Sequence, residues 1–470
     1  MAKFDDFNND DNSLASDYSD DDIRRFRELM SNGGKDINNP EALDEIIQFY
    51  FNHEKFEEAL SYAERLLSFE PYSSDALQRK GMILNNLGRF DEALECFQKA
   101  ISFNPSEPEI FINYGIALDN VNKVSEAMEA FDNALKLDPI QSDALFHKGV
   151  TLEKMGQFEE ALNLFKAVIQ VDPEHPDVWY ELGYCYDYLD RPEDSVRCYD
   201  EYLNQDPYNY QAWYNRGIVQ NRNGLYEQAI KSYEFALAIK ENFAPGWYNL
   251  GNAYANAGNF NEAIKCYHTA LKYDPKDVEV WHNLASVYEE SHEYSKAIEF
   301  YSKAISIDSQ YHEAYYGRGC CYDSLGKADE ALTDFLKAGE LQPENSEYWY
   351  ACADTEYHRG NTRTSIKYYQ NVVQLEPTNH EAWLDLGDTY FELQAYNEAY
   401  EALKNALKLN PDSGAIHFSM GKALIGLTRY EDAAREFSHA FRLSPELKNE
   451  FLKLFPRIFN WRLFKNLLQR

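Results

Sequence analysis

Two kinds of segment are missing from this 470-residue sequence. No run of about 18 or more apolar residues could cross a membrane, and the start, MAKFDDFNND, has no basic stretch followed by an apolar one. We therefore expect no transmembrane helix and no secretory signal. The expected location is the cytoplasm.

Cysteine is also scarce, with seven residues and no pair at C-x-x-C spacing. An odd count without such pairs fits neither a disulfide framework nor a zinc site. We expect free thiols in a reducing compartment and no bound metal.

Basic residues are few compared with acidic ones. Lys and Arg total 45 against 79 Asp and Glu, which gives a net charge of -34. A surface of this sign repels nucleic-acid phosphates and anionic lipids. Nucleic acid is excluded as an expected partner, and a membrane surface is disfavoured.

The sequence patterns of common catalytic sites are absent. The chain has no phosphate-binding P-loop, no dinucleotide-binding glycine motif, no H-E-x-x-H and no G-x-S-x-G. We predict that the protein is not an enzyme, with no catalytic residues and no cofactor.

What the sequence does contain is a repeat, which proline makes visible. From residue 71 to residue 445, ten of twelve positions spaced 34 residues apart are proline. The two exceptions are Glu241 and Ser309. Since proline ends helices, this spacing predicts a helical unit of constant length without insertions.

Other residues recur in the same frame. Glycine precedes most of these prolines at a fixed distance. A large residue stands four positions before this glycine, alanine stands twelve positions after it, and an aromatic residue stands four positions after the alanine. The large residue and the glycine are predicted to share one buried stripe of a first helix, and the alanine and the aromatic form the matching stripe of a second. Each unit is therefore predicted to be a helical hairpin, in which glycine allows the second helix to approach closely, and neighbouring hairpins stack.

At this point the sequence resembles the tetratricopeptide repeat (TPR) family, whose pattern is W-x2-L-G-x2-Y, A-x3-F and P. One unit carries that pattern almost intact, as Trp247, Leu250, Gly251, Tyr254, Ala263, Tyr267 and Pro275. The resemblance implies an all-α, right-handed superhelical solenoid of helix-turn-helix units used as a protein-binding scaffold.

The predicted organisation has three parts. Residues 1–39 form an acidic, mostly flexible arm, and residues 448–470 form a basic amphipathic capping segment with six bases and one acid. Between them lie twelve predicted units: 40–73, 74–107, 108–141, 142–175, 176–209, 210–243, 244–277, 278–311, 312–345, 346–379, 380–413 and 414–447.

The basic tail has two interpretations. It can cover the apolar face of the last unit, which a solenoid end requires, or it can dock on a partner or a membrane surface. Capping is the preferred interpretation. The alternative function is a membrane-recruited assembly or secretion factor that uses this tail.

The predicted binding groove follows from the family resemblance, in which first helices line the concave surface. The fifth unit position there carries an aromatic ladder: Phe146, Tyr180, Tyr214, Tyr248, Tyr316 and Tyr350. The twelfth carries acids: Asp119, Glu153, Asp187, Glu289 and Asp323. These eleven residues are the candidate partner-binding site, although family consensus also explains the ladder.

The predicted partners are protein or peptide segments that are basic or neutral. Members of the family that bind Hsp70 and Hsp90 hold an acidic carboxyl terminus with a clamp of Lys, Asn and Arg. This chain has acids where that clamp needs bases, so acidic tails should be rejected. Self-association remains open as a further interpretation. The expected function is a non-enzymatic scaffold or adaptor.

Overall fold

The computed structural model of the protein describes residues 39–457 and 464, and these contain twenty-five α-helices. Helix pairs follow one another every 34 residues. The first helices are α1 Pro40–Asn52, α3 Ser74–Asn86, α5 Pro108–Asn120, α7 Ser142–Lys154, α9 Val178–Tyr188, α11 Tyr210–Arg222, α13 Ala244–Asn256, α15 Val278–Glu290, α17 His312–Ser324, α19 Ser346–His358, α21 His380–Glu392 and α23 Gly414–Gly426.

Each first helix is followed by a second helix one tight turn later. The second helices are α2 Phe56–Phe69, α4 Phe90–Phe103, α6 Val124–Leu137, α8 Phe158–Val171, α10 Pro192–Gln205, α12 Tyr226–Ile239, α14 Phe260–Tyr273, α16 Tyr294–Ile307, α18 Ala328–Leu341, α20 Thr362–Leu375, α22 Tyr396–Leu409 and α24 Tyr430–Leu443. A last helix, α25, spans Leu447–Leu454. The predicted all-α helix-turn-helix repeat fold is confirmed.

The chain divides between Leu225 and Tyr226 into two compact units, each made of several 34-residue repeats. We call the part before this division the first unit and the part after it the second unit. Within each, helices that follow one another pack together, and successive first helices also contact each other, as α5 contacts α7 and α21 contacts α23. The first helices of each unit therefore form a continuous layer. We call its exposed side the groove face.

The turn inside every described helix pair uses one residue in the left-handed region. Six of these residues are glycines, such as Gly258 with a φ of 76°. The other six, among them Asn122 and His292 with φ values near 60°, are not glycine. The turn geometry is thus imposed by the helix pair, and glycine lowers its cost where present.

The two helices of a pair meet where a glycine faces a ring. A Cβ added to Gly115 would lie 2.6 Å from Phe131, and one added to Gly251 would lie 2.6 Å from Tyr267. Both rings are almost fully buried. The predicted role of this glycine in close helix approach is confirmed, because any side chain there would occupy the space of the ring.

The repeated tryptophans are only half-buried, although their stripe was predicted to be buried. In five of them, the indole Nε1–H donates a hydrogen bond to the backbone carbonyl six residues earlier. Trp281 donates to Pro275 at 3.0 Å, and Trp247 donates to Glu241 at 2.8 Å. In the last pair, His417 Nε2 lies 2.9 Å from the carbonyl of Pro411. The large residue thus ties its first helix to the preceding turn.

Beyond the last pair, Phe451 of α25 and Phe464 are fully buried. Both rings contact Phe437 of α24, with centroids 4.8 and 6.3 Å from it. This is the kind of contact that a capping segment makes. The arm at 1–38 and tail residues 458–463 and 465–470 lie outside the described residues.

No helix within residues 39–457 is both long enough and apolar enough to span a bilayer.

The glycine and ring contact makes a testable prediction. In Gly251→Ala the new methyl would overlap Tyr267 at 2.6 Å. We expect the full chain to lose about 1–3 kcal/mol, since overpacking outweighs the roughly 1 kcal/mol that alanine adds to a helix. Thermal unfolding measures the change, with the exposed position Asn261→Ala as control. A melting temperature raised by Gly251→Ala would contradict this packing.

Candidate peptide-binding surface

In the first unit, the aromatic ladder is largely part of the packing. Phe146 on α7 is 8% exposed, and its ring centroid lies 4.4 Å from that of His175. The half-buried Tyr180 accepts a hydrogen bond from Asn215 Nδ2 at 2.8 Å, which links α9 to α11. Tyr214 on α11 is also half-buried. Tyr180 therefore connects two successive first helices, whereas Phe146 packs against the loop before α9.

The ladder of the second unit is bonded mainly to acids. The hydroxyl of Tyr316 donates to Glu347 Oε1 at 2.9 Å, and that of Tyr350 donates to Asp385 Oδ2. Tyr248 accepts from Asn283 Nδ2 at 2.9 Å. Each partner belongs to the next first helix. Tyrosines and carboxylates are therefore interleaved along this groove face.

Two of the predicted groove acids in the first unit have a base of their own. Asp119 pairs with Lys154, and Asp187 pairs with Arg222, each from the next first helix. Both carboxylates are mostly covered, with side-chain exposures of 10% and 17%. These two acids are therefore less available to a cationic ligand than their sequence position suggested.

The third acid, Glu153, meets a second carboxyl. Glu153 on α7 shares a hydrogen bond with Glu181 on α9, and Cys185 Sγ donates to Glu153 Oε2 at 3.7 Å. Burial and the negative charge of Glu153 raise the pKa of Glu181 to about 8. Burial also raises the pKa of Glu153. The Glu181 carboxyl thus holds a proton at neutral pH and donates a hydrogen bond to Glu153.

In the second unit, the predicted acids have different environments. Glu289 accepts a hydrogen bond from the hydroxyl of Tyr301 at 2.7 Å, and burial raises its pKa. Asp323 is exposed. Its charge contributes to the field at Asp354, a first-helix acid that the sequence analysis did not select.

Asp354 and Asp385 form an acidic region of the second unit. Asp354 accepts from the hydroxyl of Tyr369, and Asp385 accepts from that of Tyr350. Burial raises the pKa of both carboxyls, that of Asp385 to about 6, and the hydrogen bonds only partly offset this. The neighbouring acids Asp354 and Asp388 raise the pKa of Asp385 further.

Glu181, Asp354 and Asp385 were not among the predicted groove acids, because those acids were selected at a single position of the 34-residue repeat. Glu181 and Asp385 stand at the sixth position of the 34-residue repeat, where four other repeats carry Asn. An acid at a position where several other repeats have an amide was the available sequence signal for these two residues.

Among residues 39–457 and 464, no three His, Cys, Asp or Glu side chains are arranged so that they could hold a metal ion.

The buried Glu153 and Glu181 pair predicts a pH effect on stability. Between the ordinary pKa of 4.5 and the folded value of about 8, the folded chain keeps a proton on Glu181 that the unfolded chain releases. Stability should therefore fall as pH rises through this window. Glu181→Gln removes that cost, so it should stabilise the chain by about 1 kcal/mol or more near pH 8 and less near pH 5.

Thermal unfolding of Glu181→Gln at both pH values tests this expectation, with the exposed Glu193→Gln as control. An equal shift at the two pH values would show that Glu181 ionises normally.

Family models described as tetratricopeptide repeat match residues 74–107, 130–163, 152–215, 210–243, 244–277, 278–311 and 312–345. A model described as anaphase-promoting complex, cyclosome, subunit 3 matches residues 358–440. A search of curated proteins finds no significant match.

Solved structures resemble parts or most of the chain. YrrB, described as a TPR protein with an unusual peptide-binding site, is 23% identical with a TM-score of 0.37, covering 40% of this chain and 98% of its own. MamA is 28% identical with a TM-score of 0.34, covering 36% and 98%. The APC/C hetero-tetramer Cut9-Hcn1 is 14% identical with a TM-score of 0.37, covering 94% and 98%.

Those TM-scores are too low to transfer any property from these proteins. The family models and the helix pairs of the structure agree independently of them. Because the repeat models together cover more than half of the 470 residues, this chain belongs to the tetratricopeptide repeat family.

Proposed function

We propose that this tetratricopeptide repeat scaffold is a non-enzymatic adaptor that binds basic or neutral peptide segments on its groove face. The observation that carries the proposal is the set of half-buried groove carboxylates with too few bases beside them. Burial and mutual repulsion raise the pKa of Asp385 to about 6 and that of Glu181 to about 8. A lysine or arginine entering there would offset the repulsion and favour the charged form of these carboxylates.

The tyrosine ladder supports the same ligand chemistry. A guanidinium can stack on an aromatic ring while it bonds to a carboxylate. In the second unit Tyr350 and Asp385 are directly bonded, and Tyr316 and Glu347 repeat the arrangement one helix pair earlier. Successive sites of this kind suit an extended peptide with repeated basic residues.

The same charges argue against an acidic ligand. Placing a carboxyl terminus beside Asp354 and Asp385 would add like charge to groups whose pKa values are already raised. All seven cysteines are unpaired, which is consistent with a cytoplasmic location. Self-association through the groove face is a less favourable use, since it would bring two acidic surfaces together.

A matched pair of triple variants tests the groove face. Glu347→Gln, Asp354→Asn and Asp385→Asn together remove three groove carboxylates, whereas Glu330→Gln, Glu398→Gln and Glu431→Gln remove three exposed ones from second helices. The probe is a labelled peptide of alternating arginine and serine. Fluorescence anisotropy with the full chain should show about a tenfold weaker affinity for the groove variant and a loss below about twofold for the control.

Equal losses in the two variants would mean that only net charge attracts the peptide, and the groove assignment would be wrong. An alternating glutamate and serine peptide should not bind. Circular dichroism checks that both variants remain helical.

The membrane-recruited alternative is less well supported, because two of its apolar tail residues, Phe451 and Phe464, are buried on the last helix pair. We therefore expect the full chain to remain in the supernatant when it is sedimented with vesicles that contain phosphatidylserine. Sedimentation with these vesicles at physiological ionic strength, and not with neutral ones, would instead support recruitment by the basic tail.

A further inference from the structure

A surface cleft of about 600 Å³ lies in the second unit between α12, α13 and α14. It is formed by a different stripe of α13 from the one that carries Tyr248. Trp247, Leu250, Leu237 and Cys266 are among the residues that line it. The indole of Trp247 is held in place by its hydrogen bond to the carbonyl of Glu241 at 2.8 Å. A fixed, half-exposed aromatic ring therefore faces open space.

In two other helix pairs the same space is filled by an aromatic residue. Phe300 stacks on Trp281 with centroids 5.9 Å apart and an interplanar angle of 22°, and Tyr368 stacks on Trp349 at 5.9 Å and 18°. Phe300 and Tyr368 stand at the same position of the 34-residue repeat as Cys266, 34 and 102 residues after it. At Trp247 the smaller Cys266 stands at this position instead of a ring.

The rim of the cleft is acidic. Glu234, Glu241 and Glu262 line it, and Lys265 is the base beside them. Lys265 Nζ bonds to Glu262 Oε1 at 2.6 Å, so it neutralises one of the three acids. Tyrosine hydroxyls donate to the other two, from Tyr254 to Glu234 at 3.1 Å and from Tyr273 to Glu241 at 3.4 Å. Their charges remain without a balancing base among the lining residues.

Two features of the sequence, of which only Glu241 departs from the repeat, meet at this cleft. Glu241 replaces the proline that ends most units, and Cys266 stands where Phe300 and Tyr368 cover their tryptophans. The first adds negative charge beside the cleft, and the second opens it. Burial raises the pKa of the Cys266 thiol to about 12, so the thiol stays neutral and adds no charge.

We propose that this cleft is a second binding site, for a partner segment in which an aromatic side chain lies next to a lysine or arginine. The aromatic ring stacks on Trp247 as Phe300 stacks on Trp281, and the cation pairs with Glu234 and Glu241. Stacking and a charge-assisted pair recognise different parts of the same segment. The volume is within the range of pockets that bury a ligand side chain. This site is independent of the groove face.

Another helix pair shows how the charge preference is set. Trp179 and Cys198 stand at the same positions of the 34-residue repeat as Trp247 and Cys266. At the position that corresponds to Glu234, however, that pair has Lys166. A basic segment would be repelled there. Glu234 is therefore the residue that we expect to determine selectivity for a cation, and Glu234→Lys converts it to the other pair's residue.

The test uses the full chain labelled with 5-fluorotryptophan, in which Trp247→Phe identifies the Trp247 signal among those of the seven tryptophans. The probe is acetyl-Gly-Arg-Phe-Arg-Gly-amide, titrated while fluorine NMR is recorded. We expect a saturable shift of the Trp247 signal. The shift should be lost with a peptide that has Ala in place of Phe and with one that has Glu in place of Arg.

Three variants locate the ligand. Cys266→Phe places a ring over Trp247 and should weaken binding about tenfold or more, and so should Glu234→Lys, whereas Cys266→Ser keeps the space and should bind as the native chain does. Glu234 is exposed, so its variant remains informative if Cys266→Phe unfolds. No shift of Trp247, an unchanged affinity in both variants, or equal binding of the Ala or Glu peptide would overturn the proposal. None of these results would affect the groove-face proposal.

Discussion

The close contact between a glycine of the first helix and a ring of the second, which most helix pairs share, sets the spacing on which the rest of the structure depends. Gly115 with Phe131 and Gly251 with Tyr267 bring the helix axes close enough for the ring to occupy the space of a missing side chain. Where Ala285 replaces this glycine, Tyr301 packs against Gly317 of the next first helix. In this pair the close fit between a ring and the backbone is kept, but at a glycine of the next first helix.

Periodicity made the fold predictable, because a constant 34-residue unit repeats one solution to helix packing. It did not reveal the left-handed turn residues. Asn122 and His292 adopt the conformation of Gly258 although nothing in their own chemistry demands it, since the helix pair imposes it. It also misjudged the tryptophans, whose indole nitrogens keep them near the surface beside a backbone carbonyl.

The candidate site was less predictable than the fold. The acids selected by their repeat position included Asp119 and Asp187. In the structure these two form ion pairs with Lys154 and Arg222, each 35 residues further along the chain. Sequence spacing cannot show which long side chain reaches which carboxylate. It likewise passed over Glu181, whose altered ionisation depends on its burial beside Glu153. The residues with unusual chemistry are departures from the repeat, and the repeated residues mainly build the scaffold.

The central claim is that groove carboxylates with raised pKa values bind cationic side chains, and proton release on binding tests it most directly. Calorimetric titration of the full chain with the arginine and serine peptide, in buffers of different ionisation enthalpy near pH 6, counts the protons exchanged. A cation beside Asp385, whose pKa is about 6, should displace its proton, so the heat should depend on the buffer and indicate net release. Binding with the same heat in every buffer would contradict the account.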